Sequence, residues 1–294
     1  MKRLLFYTAL FFSSCFSAIA QQVAQHYAGG DGTKESPFLI SNAAELALLA
    51  QDVNTEKDFS LGRFFRLTQD IVVNTGVMAT DLTKLQDYTG HPPFPETPAI
   101  GDFSSETDYK AFQGVFDGDG HTISGIYMTA NQSVNYLALF RVVEDAEIRN
   151  LGIRDEFVYA GAYLGGIVGR AINSRIINCY VTDSHVFGWG SNSGGIVAQA
   201  IGTTKVQNCY YLGNLNGKND MGGIVGRIGN GDVNKVVVEN CYTTATITNR
   251  LKENKGGVTA TNSEGSIVRN CYFTAAAADY AVWPAQNMGV EVGS

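Results

Sequence analysis

The sequence predicts an all-β fold, a parallel β-helix (β-solenoid) with three short strands in each coil of about thirty residues. Three observations predict it. A short word built on Asn-Cys-Tyr recurs, and a second word, Gly-Gly-Ile-Val-Gly, recurs in step with it. Within the repeats, no segment has ten or more residues with the 3.6-residue period of a helix.

The first word has the form apolar-x-Asn-Cys-Tyr and occurs four times, after one variant copy that has Asn-Leu-Gly. The copies are about thirty residues apart, and self-similarity at such a period is typical of repeat architectures. The aligned asparagines are Asn150, Asn178, Asn208, Asn240 and Asn270.

The second word occupies residues 165–169, 194–198 and 222–226, with a divergent copy at 256–260. A short apolar-x-Gly piece separates the two words, so each repeat holds three strand candidates. Three such strands form one turn of a coil, and stacked coils place equivalent residues about 4.8 Å apart in three parallel sheets. A propeller blade would need about forty residues and four antiparallel strands.

The alignment predicts which side chains of the first word face the core. In the variant copy, Leu151 and Ile153 stand where two other copies have Cys179 and Val181 or Cys271 and Phe273, so cysteine faces inward and tyrosine outward. The alternation therefore changes phase at the asparagine, a residue that tolerates the left-handed conformation. We expect the asparagines to form a corner ladder with amide hydrogen bonds between coils; a ligand-binding role for them is the alternative.

Four cysteines remain after the leader, and they could form disulfides, bind a metal ion or stay as buried thiols. An exported chain with an even number of cysteines invites disulfides, and stacked neighbours lie within bridging range. However, their side chains run parallel, and Leu151 fills the same column without a partner. Equivalent positions in a solenoid form a line, which does not suit a tetrahedral metal site. The favoured interpretation is a column of buried, unpaired thiols at Cys179, Cys209, Cys241 and Cys271.

The segment before the repeats is predicted to be an N-terminal cap with irregular first coils. Residues 41–54 form the best helix candidate, with a capping box at Asn42 and Glu45 and an apolar stripe that would cover the open end of the core. A long loop, 75–110, follows, and long loops on rigid scaffolds often carry function. The predicted organisation is a signal peptide at 1–20, cap and first coils at 21–140, repeat coils at 141–280 and a tail or second cap at 281–294.

The N-terminus predicts export. Lys2 and Arg3 precede the apolar run 4–12, and Ala18-Ile19-Ala20 is a typical cleavage site. The alternative is a lipid anchor at Cys15. No later stretch is long and apolar enough to span a membrane, so we expect a secreted or surface-attached protein. The formal net charge of −7 without Lys/Arg clusters argues against nucleic-acid binding.

Taken together, the motifs resemble those of the GLUG-repeat proteins. The resemblance rests on Gly-Gly-x-Gly-Thr and Pro-Phe-Leu-Ile near the start, Phe-Asp-Gly-x-Gly-His-Thr-Ile-x-Gly at 116–125, and the two repeated words. It implies a right-handed β-helix and an adhesin-like exported protein of the kind common in Bacteroidetes. Related repeats occur in IgA-specific metallopeptidases, but this chain has no His-Glu-x-x-His, so that activity does not carry over.

Asp117, Asp119 and His121 form the densest cluster of reactive side chains. Two carboxylates and an imidazole could supply an acid and a base for glycoside cleavage. The simpler interpretation, which we favour, is an Asp-Gly turn between two strands. Calcium is a further alternative, although only the Asp-Gly-Asp start of an oxygen cage is visible. Asp183 and His185 are predicted to form an exposed pair on a strand.

The outward tyrosines are the candidate binding residues. Aromatic rows can contact sugar rings or another protein, whereas the alternative is a self-stacking ladder that stabilises the sheet. The four residues are Tyr180, Tyr210, Tyr242 and Tyr272.

The sequence thus favours an exported, non-enzymatic, adhesin-like β-helix without a cofactor, which binds a host protein or a glycan at a surface. One alternative is a carbohydrate-active β-helix enzyme, a polysaccharide lyase or hydrolase, with its acids at Asp117 and Asp119 or on the loop 75–110. Another is a structural spacer without a ligand. The oligomeric state is not predicted.

Overall fold

The protein is a parallel β-solenoid of about seven turns, as predicted from the repeats. The computed structural model describes residues 22–85, 93–229, 234–251, 255–274, 280–282 and 290–293. The predicted signal peptide with Cys15, residues 86–92 of the long loop, and most of the tail 281–294 lie outside the described residues.

The described elements are short strands joined by turns, together with two helices near the N-terminus. The helices are α1 (Ala43–Thr55) and α2 (Leu82–Leu85). The strands are β1 (Phe38–Ile40), β2 (Phe64–Leu67), β3 (Ile71–Val72), β4 (Asp102–Ser105), β5 (Asp108–Lys110), β6 (Val115–Asp117), β7 (Thr122–Ser124), β8 (Tyr127–Thr129), β9 (Phe140–Glu144), β10 (Glu147–Arg149), β11 (Gly152–Ala160), β12 (Val168–Ile172), β13 (Arg175–Ile177), β14 (Tyr180–Gly188), β15 (Ser193–Gly194), β16 (Val197–Ile201), β17 (Lys205–Gln207), β18 (Tyr210–Gly217), β19 (Met221–Gly222), β20 (Val225–Ile228), β21 (Val237–Glu239), β22 (Tyr242–Thr243), β23 (Thr246–Asn249), β24 (Lys255–Thr261), β25 (Ile267–Phe273), β26 (Tyr280–Val282) and β27 (Val290–Gly293).

Each coil has three sides, and we number the coils by the strand that opens them. Coil 1 begins at β2 and coil 2 at β6, and coils 3 to 7 begin at β10, β13, β17, β21 and β25. Side 1 stacks these opening strands, side 2 stacks β7 and β8 on β11, β14, β18, β22 and β23, and side 3 stacks β9, β12, β16, β20 and β24. The neighbours along every side are parallel, and most pairings are in register; β14 and β18 are interrupted by a bulge at Asp183.

The sequence predicts three sheets in the solenoid, but the hydrogen bonds of the described residues join its three sides into two sheets. Sides 1 and 2 merge into one 17-stranded sheet, while side 3 belongs to a separate 8-stranded sheet. The merger occurs because β25 runs through the corner from side 1 to side 2 without a break, pairing with both β21 and β22.

The core is a continuous stack of apolar side chains inside the coils. Side 1 contributes one fully or almost fully buried residue from each coil, in the order Phe65, Phe116, Ile148, Ile176, Val206, Val238 and Val268. Because every repeat presents the same column, each coil buries its apolar face on the next one.

Helix α1 packs on the core at the N-terminal end, as its apolar stripe predicts. Leu46, Leu49 and Val53 are buried in the same cluster as the side-1 residues. The side chain of Asn42 accepts from the N–H of Glu45 at 3.0 Å, and the Glu45 carboxylate accepts from the N–H of Ser41 at 2.6 Å. This is a capping box shifted by one residue, and it satisfies donors that the helix itself leaves unpaired.

Two inserted segments form a second layer outside the N-terminal coils. Parts of the long loop, including α2, lie against side 2, where Val77 and Leu85 are buried with Tyr127 and Phe157. The antiparallel hairpin of β4 and β5 lies near side 3, where Phe103 contacts the ring of Tyr136 at 4.6 Å. The loop therefore covers the outer face of side 2 in coils 2 and 3, and the hairpin covers part of side 3.

Candidate functional site

The corner between sides 1 and 2 is an asparagine ladder. All five aligned asparagines have positive φ between 51° and 55°. In each step the Nδ2 group of one asparagine donates to the Oδ1 atom of the preceding one, at 3.0 to 3.3 Å. The asparagine amides therefore form hydrogen bonds with one another, which leaves few donors and acceptors for a ligand.

The ladder ends on Asp117, one of the predicted acids. Its Oδ1 atom accepts from Nδ2 of Asn150 at 2.9 Å and from the N–H of Asp119, while its Oδ2 atom accepts from Arg149. Partial burial by itself raises the pKa of Asp117, but the hydrogen bonds from Asn150, Asp119 and Arg149 outweigh it and hold the pKa below its ordinary value. A carboxyl group in this setting is a poor general acid at neutral pH.

The rest of the 117–121 cluster is a turn. Asp119 and Gly120 both have positive φ, and Asp119 is exposed. The His121 ring lies 3.4 Å from the carboxylate of Asp70 rather than from either of the other acids. A hydrogen bond from the N–H of Thr122, with a smaller contribution from His121, lowers the pKa of Asp70. The structure therefore does not bring Asp117, Asp119 and His121 together as an acid–base pair.

The four cysteines form a buried column, each 0 or 1% exposed and unpaired. Each Sγ atom lies 3.2 Å from the carbonyl oxygen two residues earlier and 3.6 to 3.7 Å from a carbonyl of the preceding coil. Burial raises the pKa of the Cys209 thiol well above its ordinary value, so the reactive thiolate is disfavoured. Across the part of the chain that the structure describes, no three His, Cys, Asp or Glu residues are grouped to hold a metal ion.

The predicted tyrosine column faces outward on side 2. The rings of Tyr180 and Tyr210 stack at 4.9 Å with planes 3° apart, and those of Tyr210 and Tyr242 stack at 4.9 Å and 14°. Tyr242 and Tyr272 are 41% and 57% exposed. Since the stacked rings cover one another's faces, Tyr180 and Tyr210 present mainly edges and hydroxyls to solvent.

A second aromatic row on side 2 was not anticipated from the sequence. The rings of Phe157 and Tyr127 stack at 6.1 Å, and those of Tyr159 and Phe187 stack at 4.9 Å. The loop segment with Val77 and Leu85 buries the first part of this row. The signal in the sequence was weak, because Tyr127, Phe157 and His185 share a column although they are three different residue types.

The row becomes exposed where it reaches coil 4. Trp189 is 38% exposed and makes edge contacts with the rings of Tyr159 and Phe187 at 6.2 and 5.9 Å. Its Nε1–H donates to the hydroxyl of Tyr159 at 2.7 Å. The guanidinium carbon of Arg250 lies 5.5 Å from the centroid of Phe187 and 5.1 Å from that of Trp189. We name Phe187, Trp189 and Arg250 the coil-4 patch.

The prediction that Asp183 and His185 are both exposed is wrong for His185. Asp183 is exposed, with φ 49°, but His185 is only 9% exposed because its ring stacks against Phe157. Burial lowers the pKa of His185. One coil earlier, Asp155 has the same position and φ 55°, and it accepts from the N–H groups of Gly76, Val77 and Met78. Asp155 thus fastens the covering loop.

Glu156 is a second group that sequence reasoning missed. It is fully buried, and its Oε2 atom accepts from the Ser184 hydroxyl at 2.7 Å while Oε1 has no hydrogen-bond partner. Burial raises the pKa of Glu156 to about 8. The side chain lies inside the coils, out of reach of a ligand in solvent, so it bears on stability rather than on binding.

A polar cleft of about 340 Å³ lies between the end of α1, the β4–β5 hairpin and side 3. Its lining includes Lys57, Asp58, Glu106, Lys110 and Glu144. Lys110 donates its Nζ group to the Asn54 and Thr55 carbonyls at the end of α1, so this cation holds the helix. Small-molecule sites are mostly apolar, with a few polar groups that converge on the ligand. The lining of this cleft is instead mainly charged and polar.

Comparison with known proteins agrees with this architecture. A protein of Evansella cellulosilytica, named as a proposed Gly-rich membrane protein, is 31% identical over 159 residues, which is 53% of this chain and 16% of that protein. Halomucin of Haloquadratum walsbyi is 28% identical over 180 residues, which is 61% of this chain and 2% of halomucin. The chain therefore spans only a small part of these relatives.

A solved structure has the same fold. It is a proposed immunoglobulin A1 protease of Bacteroides ovatus, with a TM-score of 0.55 and 18% identity over 91% of this chain and 87% of that one. At this identity the likeness shows the fold alone. No helix among the described residues is long and apolar enough to cross a membrane. Residues 160–186, which lie within coils 3 and 4, match the GLUG motif, so this part of the solenoid is similar to the repeats of GLUG-motif proteins.

Proposed function

We propose that this protein is a non-enzymatic surface protein that binds glycans through the coil-4 patch. The observation that carries the proposal is the partly exposed ring of Trp189 at the open end of an otherwise buried aromatic row. Large exposed aromatic rings that are held in place by neighbours are typical of binding sites for sugars and for other proteins.

The orientation of Trp189 supports this function. The Nε1–H group of the ring already donates to Tyr159, and Arg250 lies over one part of the ring, so the indole surface that remains exposed is apolar. Contacts with Tyr159 and Phe187 also hold the side chain in one position, which lowers the entropy lost on binding. The apolar C–H face of a pyranose ring fits such a surface. Stacked tyrosines are a weaker candidate because they cover each other's faces.

A location at the cell surface is part of the proposal. It is supported by the predicted leader at residues 1–20 and by the name of the Evansella relative as a membrane protein. An adhesin-like role follows if the displayed patch binds host glycans. The alternative of a carbohydrate-active enzyme is less well supported, because Asp117 is held ionised by Asn150 and Arg149.

The test is an array of glycans and matrix proteins probed with the leaderless protein and with two variants, W189A and Y242A. Both replaced rings are outward and similarly exposed, which makes Y242A a matched control. We expect W189A to lose at least tenfold in affinity and Y242A to change less than twofold. Release of reducing ends from a bound polysaccharide would contradict the non-enzymatic assignment. A loss of binding in Y242A but not in W189A would place the site at the tyrosine column.

A further inference from the structure

Arg250 is the cationic member of the coil-4 patch, and its position is set by contacts with coil 4. It follows β23 in coil 6 and reaches back two coils, where its Nη2 group donates to the carbonyls of Gly188 and Trp189 at 3.1 and 2.7 Å. Its main-chain N–H donates to the Gly217 carbonyl of coil 5 at 3.0 Å. The guanidinium is thus held at one edge by main-chain oxygens and on its face by Phe187 and Trp189.

The other edge of this guanidinium has no partner among the residues that the structure describes. Within the guanidinium of Arg250, Nη2 is the nitrogen that donates to described residues, and no carboxylate of the described residues forms an ion pair with it. The residue is exposed. An arginine that is stacked on aromatic rings and fixed at one edge loses little entropy when its free donors bind a planar anion.

Lys218 adds a second cation beside the patch. Its N–H donates to the Gly190 carbonyl of coil 4, and its carbonyl accepts from the N–H of Leu251 in coil 6, so it lies in the coil between Trp189 and Arg250. Lys218 is exposed. The main chain thus places two exposed cationic residues, Lys218 and Arg250, in adjoining coils next to Trp189, and their charge favours an anionic ligand there.

We infer that the ligand of the coil-4 patch is an anionic glycan, which places a sugar ring on Trp189 and a carboxylate or sulfate group on Arg250 and Lys218. This inference rests on the proposed function, because it names the class of glycan bound at the same patch. Carboxylated and sulfated glycans share the required chemistry, and the experiment distinguishes them.

The test measures binding of the leaderless protein to one polysaccharide in three forms: dextran, carboxymethyl-dextran and dextran sulfate. Polygalacturonate and the neutral glycans of the array are included so that recognition of another sugar is detected. The variants are R250Q, R250K, K218Q and W189A. The control K205Q removes a positive charge from side 1, where Lys205 is also exposed.

We expect anionic forms to bind at least tenfold more tightly than the neutral form, with affinity falling as salt rises. R250Q should lose about tenfold or more, K218Q about threefold, and K205Q less than twofold. R250K should fall between wild type and R250Q, because lysine retains the charge but not the planar fork. Circular dichroism and thermal unfolding of each variant report whether the fold is retained.

Two outcomes overturn the inference, and they differ from the failure of the proposed function. Equal losses in R250Q and K205Q would mean nonspecific attraction of polyanions. Binding of neutral glycans that requires Trp189 but is unchanged in R250Q would overturn the anionic class and leave the proposed function intact. Absence of glycan binding by the wild type would overturn both.

Discussion

One column of side 2 has a large aromatic residue at coil 3 and a small polar one at coil 6. Phe157, His185, Asn214 and Thr246 occupy equivalent positions in successive coils. Phe157 is fully buried under the loop, whereas Asn214 and Thr246 are exposed. The two regions differ in two ways: a second layer covers side 2 in coils 2 and 3, and β11 and β14 each contain a bulge residue with positive φ that β18 lacks.

The comparison shows two ways of stabilising the same coil. The covered region buries apolar surface on both faces of side 2, as in a β-sheet packed on both sides. The bare region relies on side-chain ladders at the surface, with stacked tyrosines and hydrogen-bonded asparagines between coils. The coil-4 patch lies at the boundary between the two, where aromatic residues continue but the described loop contacts end.

The largest expected difference between the regions is at the shared column. Phe157→Ala should lower the free energy of unfolding by about 3–5 kcal/mol, because it leaves a cavity between the sheet and the loop. Thr246→Ala, at the equivalent exposed position, should change it by less than about 0.5 kcal/mol. Urea denaturation of both variants measures this. Similar values for the two would contradict the assignment of a covered and a bare region.

Glu156 should make the stability of the covered coil depend on pH. Its pKa is about 8 in the folded protein, against an ordinary value of 4.5, so the unfolded chain releases the proton first as pH rises. The contribution of Glu156 to stability is therefore greatest below pH 4.5 and falls until about pH 8, by on the order of 5 kcal/mol at most.

Glu156→Gln removes this titration while keeping the shape of the side chain. The stability of the variant relative to wild type should therefore increase between pH 5 and pH 8. Thermal unfolding across this range checks the prediction. A difference that stays constant with pH would show that Glu156 is ionised in the folded protein.

In the bare region, substitutions in the asparagine ladder should lower the free energy of unfolding the most. Asn208→Ala removes two amide hydrogen bonds and places alanine at a φ of 54°, which together should cost about 2 kcal/mol. Asn208→Gly loses the same bonds but accepts the backbone conformation, so it should cost about half as much. Equal destabilisation in denaturant titrations would indicate that the conformation contributes nothing.

The contact between Asp155 and the loop tests where the boundary between the two regions lies. Asp155→Asn weakens three hydrogen bonds to the loop and should cost about 1–2 kcal/mol, seen as faster amide exchange at residues 76–78. Asp183→Asn, one coil later at the same backbone conformation, is the matched control and should leave exchange unchanged. Faster exchange in both variants would mean that Asp183 also holds the loop.

Much of the fold could be predicted because a solenoid repeats its constraints. The asparagine at each corner, the buried apolar residue at each opening strand and the capping helix all leave local patterns in the sequence. The number of hydrogen-bonded sheets was predicted less well. Whether β25 breaks at its corner depends on its pairing with β21 and β22, which no local pattern records.

The candidate site was harder to predict than the fold. The sequence indicates Asp117 as a candidate acid. The hydrogen bonds that hold its pKa low come from Arg149 and Asn150 in the neighbouring coil. Trp189 and Arg250 are about sixty residues apart in the chain, and only the stacking of coils 4 to 6 brings them together. His185 has a polar side chain, yet it is buried because a phenylalanine precedes it in the column.

The sequence by itself determined the period, the three-strand coil, the inward cysteines and the corner asparagines, because each follows from residues that are neighbours in the chain or are repeated along it. The tertiary structure alone decided which outer faces are covered and which side chains meet at the coil-4 patch. The physical reason is that a loop of irregular sequence can lie on any side of a solenoid. Its position is set by particular long-range contacts, such as those of Asp155 with residues 76–78, which the repeat does not encode.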